Sequence, residues 1–211
     1  RFKGMKRPSN NGSMQASDAR EKILDAAETL FANRGYAAVT LRDIAAPLGL
    51  KHSSLYHHFP EGKETLFAEV LERNIRRHGQ GLAAAMASSD GSLRGKLRGI
   101  AAWLLSQPPM DLLRIVESDL KVLPRKEAER IGGLVYAEII LRIRSAFEDA
   151  IRGGEVGDCD PGLLGGSVLG FFESLHTAPE RDVGRNRVDM AHALIEIILK
   201  GIDYKERKLT R

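Results

Sequence analysis

The chain is poor in cysteine, in aromatic residues and in long apolar runs, and each shortage closes off a class of protein. Cys159 is the only cysteine in 211 residues, so no intrachain disulfide and no cysteine-rich metal site can form. Apolar runs, such as Ile197 to Leu199, hold a few residues, far short of the roughly 18 that a membrane span needs. No apolar segment follows the basic N-terminus, so no signal peptide is read and the cytoplasm is the expected location. Glycine-rich phosphate loops, nucleophile elbows and metal-ligand pairs at helical spacing are all lacking. Three of the six histidines, His52, His57 and His58, fall in one short segment and the others are scattered. Nothing therefore points to an enzyme, a cofactor or a metal.

What is present suits a soluble helical protein: 43% hydrophobic and 28% charged residues, with only 6% aromatic. The net charge is +4 and is unevenly placed. Residues 1–80 carry 13 Lys+Arg against 9 Asp+Glu, whereas residues 81–211 carry 19 of each. The whole excess lies in Arg1, Lys3, Lys6 and Arg7, since residues 14–80 balance at 9 against 9. Any electrostatic attraction for a polyanion must come from where the charges sit, together with this arm.

The periodicity predicts an all-α chain of about nine helices. Residues 1–17 are polar and basic and read as a flexible arm. Helix one is expected from Asp18, with Glu21 completing a capping box and Gly35 ending it; Ile23, Leu24, Ala27, Leu30 and Phe31 face inward. Thr40 and Asp43 cap helix two, Gly49 makes a turn, and a short third helix over residues 52–58 is anchored by Leu55 and Phe59. Residues 18–62 thus form one small unit, residues 63–204 a larger helical one, and residues 205–211 a flexible tail. Helix four opens at Lys63, and Gly79 and Gly81 mark where it bends or stops. Later helices are expected over residues 93–107, 112–123, 126–152, 161–177 and 186–203, separated by Pro108-Pro109, Pro124 and Gly153-Gly154.

Between Thr40 and Phe59 the sequence TLRDIAAPLGLKHSSLYHHF has two short helical patterns around a glycine, the second offering hydroxyl, basic, imidazole and phenol groups. Such a helix suits the DNA major groove. From Ala19 to about Asn74 the motifs ILDAA-LF---GY, T-RDIA---GL, SLYHHF and KE-L-F follow in order, and the segment resembles the DNA-binding domain of TetR-like bacterial transcriptional regulators. The remainder is similar in helix layout only. The resemblance implies that Thr40, Tyr56, His57 and Lys63 contact phosphates, with Arg42 beside them, and that Lys51, His52, Ser53 and Ser54 meet base edges. His58 is expected to be partly buried. Two departures stand out. Lys51 replaces the usual capping hydroxyl, and Pro47 sits where helix two should be completing its last turn, so that helix either ends early or kinks.

The resemblance also implies double-stranded DNA and a small-molecule effector as partners of a homodimer that is released from a pseudo-palindromic operator. An activator, a regulator without effector and an architectural DNA-binding protein are the alternatives. Met86, Trp103, Tyr136, Phe171 and His176 are candidates for an effector pocket and read equally well as ordinary core. A narrow seam at Val188, Ala191, Ile195, Ile198 and Ile202, with Leu164, Val168 and Phe172 on the preceding glycine-rich helix, is expected at the dimer interface.

Overall fold

The computed structural model describes residues 11–109, 114–179 and 186–202, with side chains from Asp18 onward except Val116. The four arm cations and the expected tail lie outside the described residues. Among those described the chain is entirely helical, with nine α-helices: α1 Asn11–Arg34, α2 Leu41–Ala45, α3 His52–His58, α4 Lys63–Ala87, α5 Leu93–Ser106, α6 Arg125–Val135, α7 Leu141–Arg152, α8 Pro161–Ser174 and α9 Arg187–Ile202. No described helix is long and apolar enough to cross a membrane.

Several boundaries differ from those read in the sequence. Helix α1 begins at Asn11 rather than Asp18, so the Asp18 carboxylate does not cap it and instead takes a hydrogen bond from Lys22 Nζ one turn on. The described part of the helix expected over residues 112–123 is α-helical at Arg114, then a π-helical turn, Ile115–Asp119, running into a 3-10 turn, Leu120–Val122. The long helix over residues 126–152 is continuous but carries a π-helical turn at Tyr136–Ile140 between α6 and α7.

Helix α4 is the axis of the molecule, packing against α1, α5, α6 and the Tyr136–Ile140 turn. It does not stop at its glycines but runs on to Ala87. A side chain at Gly79 would collide with Glu138 and one at Gly81 with the indole of Trp103. The missing side chains let a π turn from one side and an aromatic ring from the other close directly onto the α4 backbone. Glycines are less uniform in α8. Only Gly165 is pressed against another helix, where a Cβ would lie 3.2 Å from the Arg144 amide nitrogen, and beside Gly166 and Gly170 there is open space.

The core is apolar and continuous from Ile23 and Phe31 in α1 through Leu66, Phe67 and Ile75 in α4 to Ile143, Phe147, Phe172 and Ile195. The inward stripe expected for α1 is observed, with Leu30 partly buried, and in α5 and the α6–α7 helix Ile100, Leu104, Ile139, Ile143 and Phe147 are at or near complete burial. Two polar residues, His78 and Asp119, share this interior.

Candidate functional site

The α2–α3 unit presents a compact polar edge, and its local geometry follows from a few residues. Thr40 and Asp43 form a reciprocal capping box: Thr40 donates from its amide (2.8 Å) and its hydroxyl (2.7 Å) to the Asp43 carboxylate, and Asp43 N–H donates back to Thr40 Oγ1 at 3.2 Å. These bonds hold the Asp43 carboxyl below its usual range. Pro47 resolves in favour of an early stop. The α-helix ends at Ala45, and Ala46–Leu48 tighten into a 3-10 turn with proline near its start, where its missing N–H costs nothing. Gly49 then reverses the chain at φ +66°, a conformation that a side chain would strain. As the Lys51 substitution implies, α3 starts without a side-chain cap.

Helix α3 buries Leu55, followed by Phe59, and turns the rest outward. Lys51, His52, Ser53, Tyr56 and His57 are exposed and Ser54 and His58 half-buried, while Thr40 and Arg42 are exposed on the neighbouring edge. Eight of the nine residues singled out in the sequence thus share one solvent-facing unit. Lys63 does not. Its ammonium donates to the carbonyl oxygens of Tyr36 and Val39, both at 2.9 Å, and stands over the Tyr36 ring. Burial lowers its pKa. The side chain expected to meet a phosphate is committed to the α1–α2 loop, because carbonyls at the end of that loop satisfy it inside the fold. A free hydroxyl is likewise not what Thr40 offers, since its proton is already given to Asp43.

The electroneutrality of this region has a structural explanation. Four of its nine acids, Glu21, Asp25, Glu28 and Glu69, pair with three of its arginines at the contact between α1 and α4. Arg73 binds Glu21 (3.1 Å), Asp25 (2.7 Å) and Glu28 (2.7 Å), Arg77 binds Glu28 at 2.6 Å, and Arg20 pairs with Glu69. Burial alone would raise the Glu28 carboxyl, but hydrogen bonds from Arg77 and Arg73 outweigh it and hold the pKa below the usual value. Among the described residues neither Arg42 nor Lys51 has an ion-pair partner. The α2–α3 edge is therefore locally positive although residues 14–80 are neutral overall.

The residues expected around an effector separate. Tyr136 is 49% and Phe171 44% exposed, so neither lines the interior: Tyr136 opens the π turn on its outer side, and Phe171 lies on the outward face of α8. Met86 is half-buried near the end of α4. Trp103 and His176 do reach the centre, where they meet a residue that the sequence reading passed over. His78 occupies an inward position in the stripe Leu71, Ile75, His78, Leu82 and is 1% exposed. That spacing was the available signal, masked by an expected helix break at Gly79. The Trp103 ring meets His78 edge-on at 6.3 Å between centroids. A separate open cleft of about 670 Å³ runs between the first half of α4 and α6, bordered by Glu64, Glu69, Glu72, Leu123, Glu127 and Arg130. Arg130 spans it, binding Glu72 at 2.6 Å and Glu127 at 2.7 Å.

The expected dimer seam also needs correction. Val168, Phe172, Ala191 and Ile195 are buried within the protomer, and Leu164, Ile198 and Ile202 pack partly against the same core. Their narrow 3-4 spacing is met in large part by α5 and α7 of the same chain. Of the expected seam only Val188 is exposed (39%), and further exposed apolar side chains lie on other faces of these helices, at Leu163 (68%), Phe171 (44%) and Ile197 (65%). Gly166 and Gly170 leave open backbone beside Leu163 and Phe171.

Residues 23–70 match the sequence pattern of bacterial regulatory proteins of the tetR family. A 55-residue stretch is 51% identical to the HTH-type transcriptional repressor KstR2 of Rhodococcus jostii, covering 26% of each chain. Another of 58 residues is 47% identical to the HTH-type transcriptional regulator LmrA of Bacillus subtilis, covering 28% of this chain and 31% of that one. The matched segment thus spans only about a quarter to a third of these relatives. Whole-chain similarity appears in the fold. AibR, solved with isovaleryl coenzyme A and operator DNA, superposes with a TM-score of 0.70 over 85% of this chain and 97% of its own, at 19% identity. A transcriptional regulator from Saccharomonospora viridis, solved with choline, gives 0.68 over 87% and 96%, at 22% identity.

Proposed function

We propose that this chain, a TetR-like transcriptional regulator by its N-terminal domain and its fold, is a cytoplasmic repressor that binds a pseudo-palindromic operator as a homodimer and leaves it when a small molecule enters the helical core. The observation that carries the reading is the mounting of the reader on α4. Lys63 ties the α1–α2 loop to the first turn of that helix, and Arg73 and Arg77 tie α1 to its middle. A displacement of α4 therefore carries α1, α2 and α3 with it. The same helix presents His78 to the core one turn beyond Asn74, itself bonded to Glu28 at 3.1 Å.

On the DNA, Lys51, His52, Ser53 and Ser54 lie at the start of α3 and face base edges. Arg42, Tyr56, His57 and the backbone around Thr40 grip the phosphates. Lysine can bond guanine acceptors, whereas serine discriminates weakly, so phosphate contacts and DNA shape supply much of the affinity. Two copies join through the exposed faces of α8 and α9, which sets two readers for half-sites roughly one helical turn, about 34 Å, apart or a multiple of it. Release follows from linkage. A ligand that favours a position of α4 in which the two readers no longer match that spacing depletes the DNA-competent form.

Footprinting on the DNA flanking the gene tests the reading. Protection of an inverted repeat, lost on adding an effector, is the expected result. Full-length protein that protects no inverted repeat there would exclude a local repressor.

A further inference from the structure

Three polar side chains from three elements approach one another in the helical core with buried nitrogens that are not satisfied there. His78 comes from α4, Trp103 from α5 and His176 from the turn after α8. Among the described residues, neither nitrogen of His78 has a hydrogen-bond partner, and neither do the buried Trp103 Nε1 and His176 Nε2. His176 is near enough for a charge on it to disfavour one on His78. An unpaired buried polar group is costly, and such groups are rare enough in native folds to require a reason. Three in one place are explained by a guest that pairs with them. We infer that this cluster is the recognition end of the effector site, and that the effector is an uncharged molecule with an apolar body and a single hydrogen-bonding oxygen, a carbonyl or a hydroxyl.

The class follows from the donors present. The indole N–H of Trp103 only donates, so the guest must offer an acceptor. Burial keeps the His78 imidazole neutral, with one donor and one acceptor nitrogen, so it cannot balance a carboxylate. The nearby guanidinium of Arg77 is already spent on Glu28 at 2.6 Å. An ammonium group fares no better, because Glu138, the carboxylate set against Gly79, is held by Arg142 at 2.6 Å. On α4 and α5 the inward positions next to His78 and Trp103 are aliphatic, with Ile75, Leu82, Ile100 and Leu104 all buried, and that suits an apolar body. Trp103 is half-buried where His78 is sealed, so the guest enters past the indole.

This inference rests on the ligand-released repressor reading, but it is testable without DNA. Trp103 is the only tryptophan of the chain, so its emission reports the cluster directly. Full-length protein is titrated with 2-decanone, decanoate and decylammonium, and binding is followed by tryptophan emission and by calorimetry. The expected result is saturable binding of the ketone, at least tenfold tighter than either ion, and weakened at least tenfold in both His78→Leu and His176→Leu. Folding of each variant is checked by its circular dichroism and melting. Preference for either ion, ketone binding unchanged in the two variants, or no ketone binding at all overturns the inference. Operator protection without ketone binding would remove this ligand class and leave the repressor; ketone binding at His78 without operator protection would do the reverse.

Discussion

The ammonium of Lys63 stands 3.9 Å from the centre of the Tyr36 ring and donates at 2.9 Å to that residue's own carbonyl oxygen. One cation thus closes the α1–α2 loop onto the first turn of α4, using a second carbonyl, Val39, at the same distance. The ring extends the tie inward, since Tyr36 packs on Phe67 at 4.8 Å and Phe67 on Phe31 at 4.9 Å.

Replacing Lys63 with Met keeps the aliphatic stem and removes both charge-assisted bonds. Such bonds contribute roughly 1.5–3 kcal/mol each when buried, and at this half-buried position the pair together is expected to cost about 2 kcal/mol. Urea denaturation measures that loss. DNA affinity should fall by the same factor on every sequence, with the salt dependence of binding unchanged. A slope in log K against log salt that drops by about 0.9 would instead assign Lys63 a phosphate.

Tyr56 provides the complementary test on the exposed side. It is 47% exposed at the far end of α3 from Lys51, and its ring lies 3.8 Å from the position of a Cβ on Gly62 at the mouth of α4. Tyr56→Phe removes one hydroxyl and no packing. Binding is expected to weaken about fivefold, about 1 kcal/mol, equally for operator variants altered at each base position. Loss of discrimination at a single base would make Tyr56 a sequence reader.

The reader was legible in the sequence because its instructions are local. Thr40 and Asp43 are three residues apart, Gly49 acts on its own φ, and the Leu55–Phe59 anchor is a single i,i+4 pair. What escaped depends on partners distant in sequence. Lys63 looks like a surface lysine until Tyr36 and Val39 are brought beneath it. Gly79 and Gly81 look like helix breakers until Glu138 and Trp103 fill the space that they leave. The α9 stripe looked like a dimer seam because an apolar 3-4 pattern states only that a face is covered, not whether another helix of the same chain covers it. Pro47 posed an alternative that sequence alone left open, and the 3-10 turn at Ala46–Leu48 settled it.

Glu28 joins α1 to α4 more tightly than any neighbouring acid, accepting from Arg73, Arg77 and Asn74 with only 18% of its side chain exposed. Glu28→Gln keeps the shape but leaves two guanidiniums facing a neutral amide. A cost of about 2 kcal/mol is expected, below that of breaking a fully buried pair because Arg73 retains Glu21 and Asp25. Amide exchange along α1 should accelerate while that of α5 does not, since α1 loses its main polar tie to the helix that carries it. Equal acceleration in both helices would mean that Glu28 contributes only to global stability.

His78 should make stability depend on pH in a definite direction. Burial first, and then the charge on Arg77, push its pKa down from 6.5 to about 4, against a smaller opposing effect of Glu28. The unfolded chain therefore binds a proton between about pH 6.5 and 4 that the folded chain refuses, so stability is full above 6.5 and falls as pH drops through that window. At 1.36 kcal/mol per unit the loss between pH 7 and pH 5 is about 2 kcal/mol. His78→Leu removes the titrating group. Urea unfolding of both proteins at the two pH values isolates the effect, because the other histidines and the carboxylates are common to both. The wild type should lose about 2 kcal/mol more than the variant on going to pH 5. An equal loss in both would show that the imidazole is hydrated in the native state, and that the polar centre of the core is open to water rather than reserved for a guest.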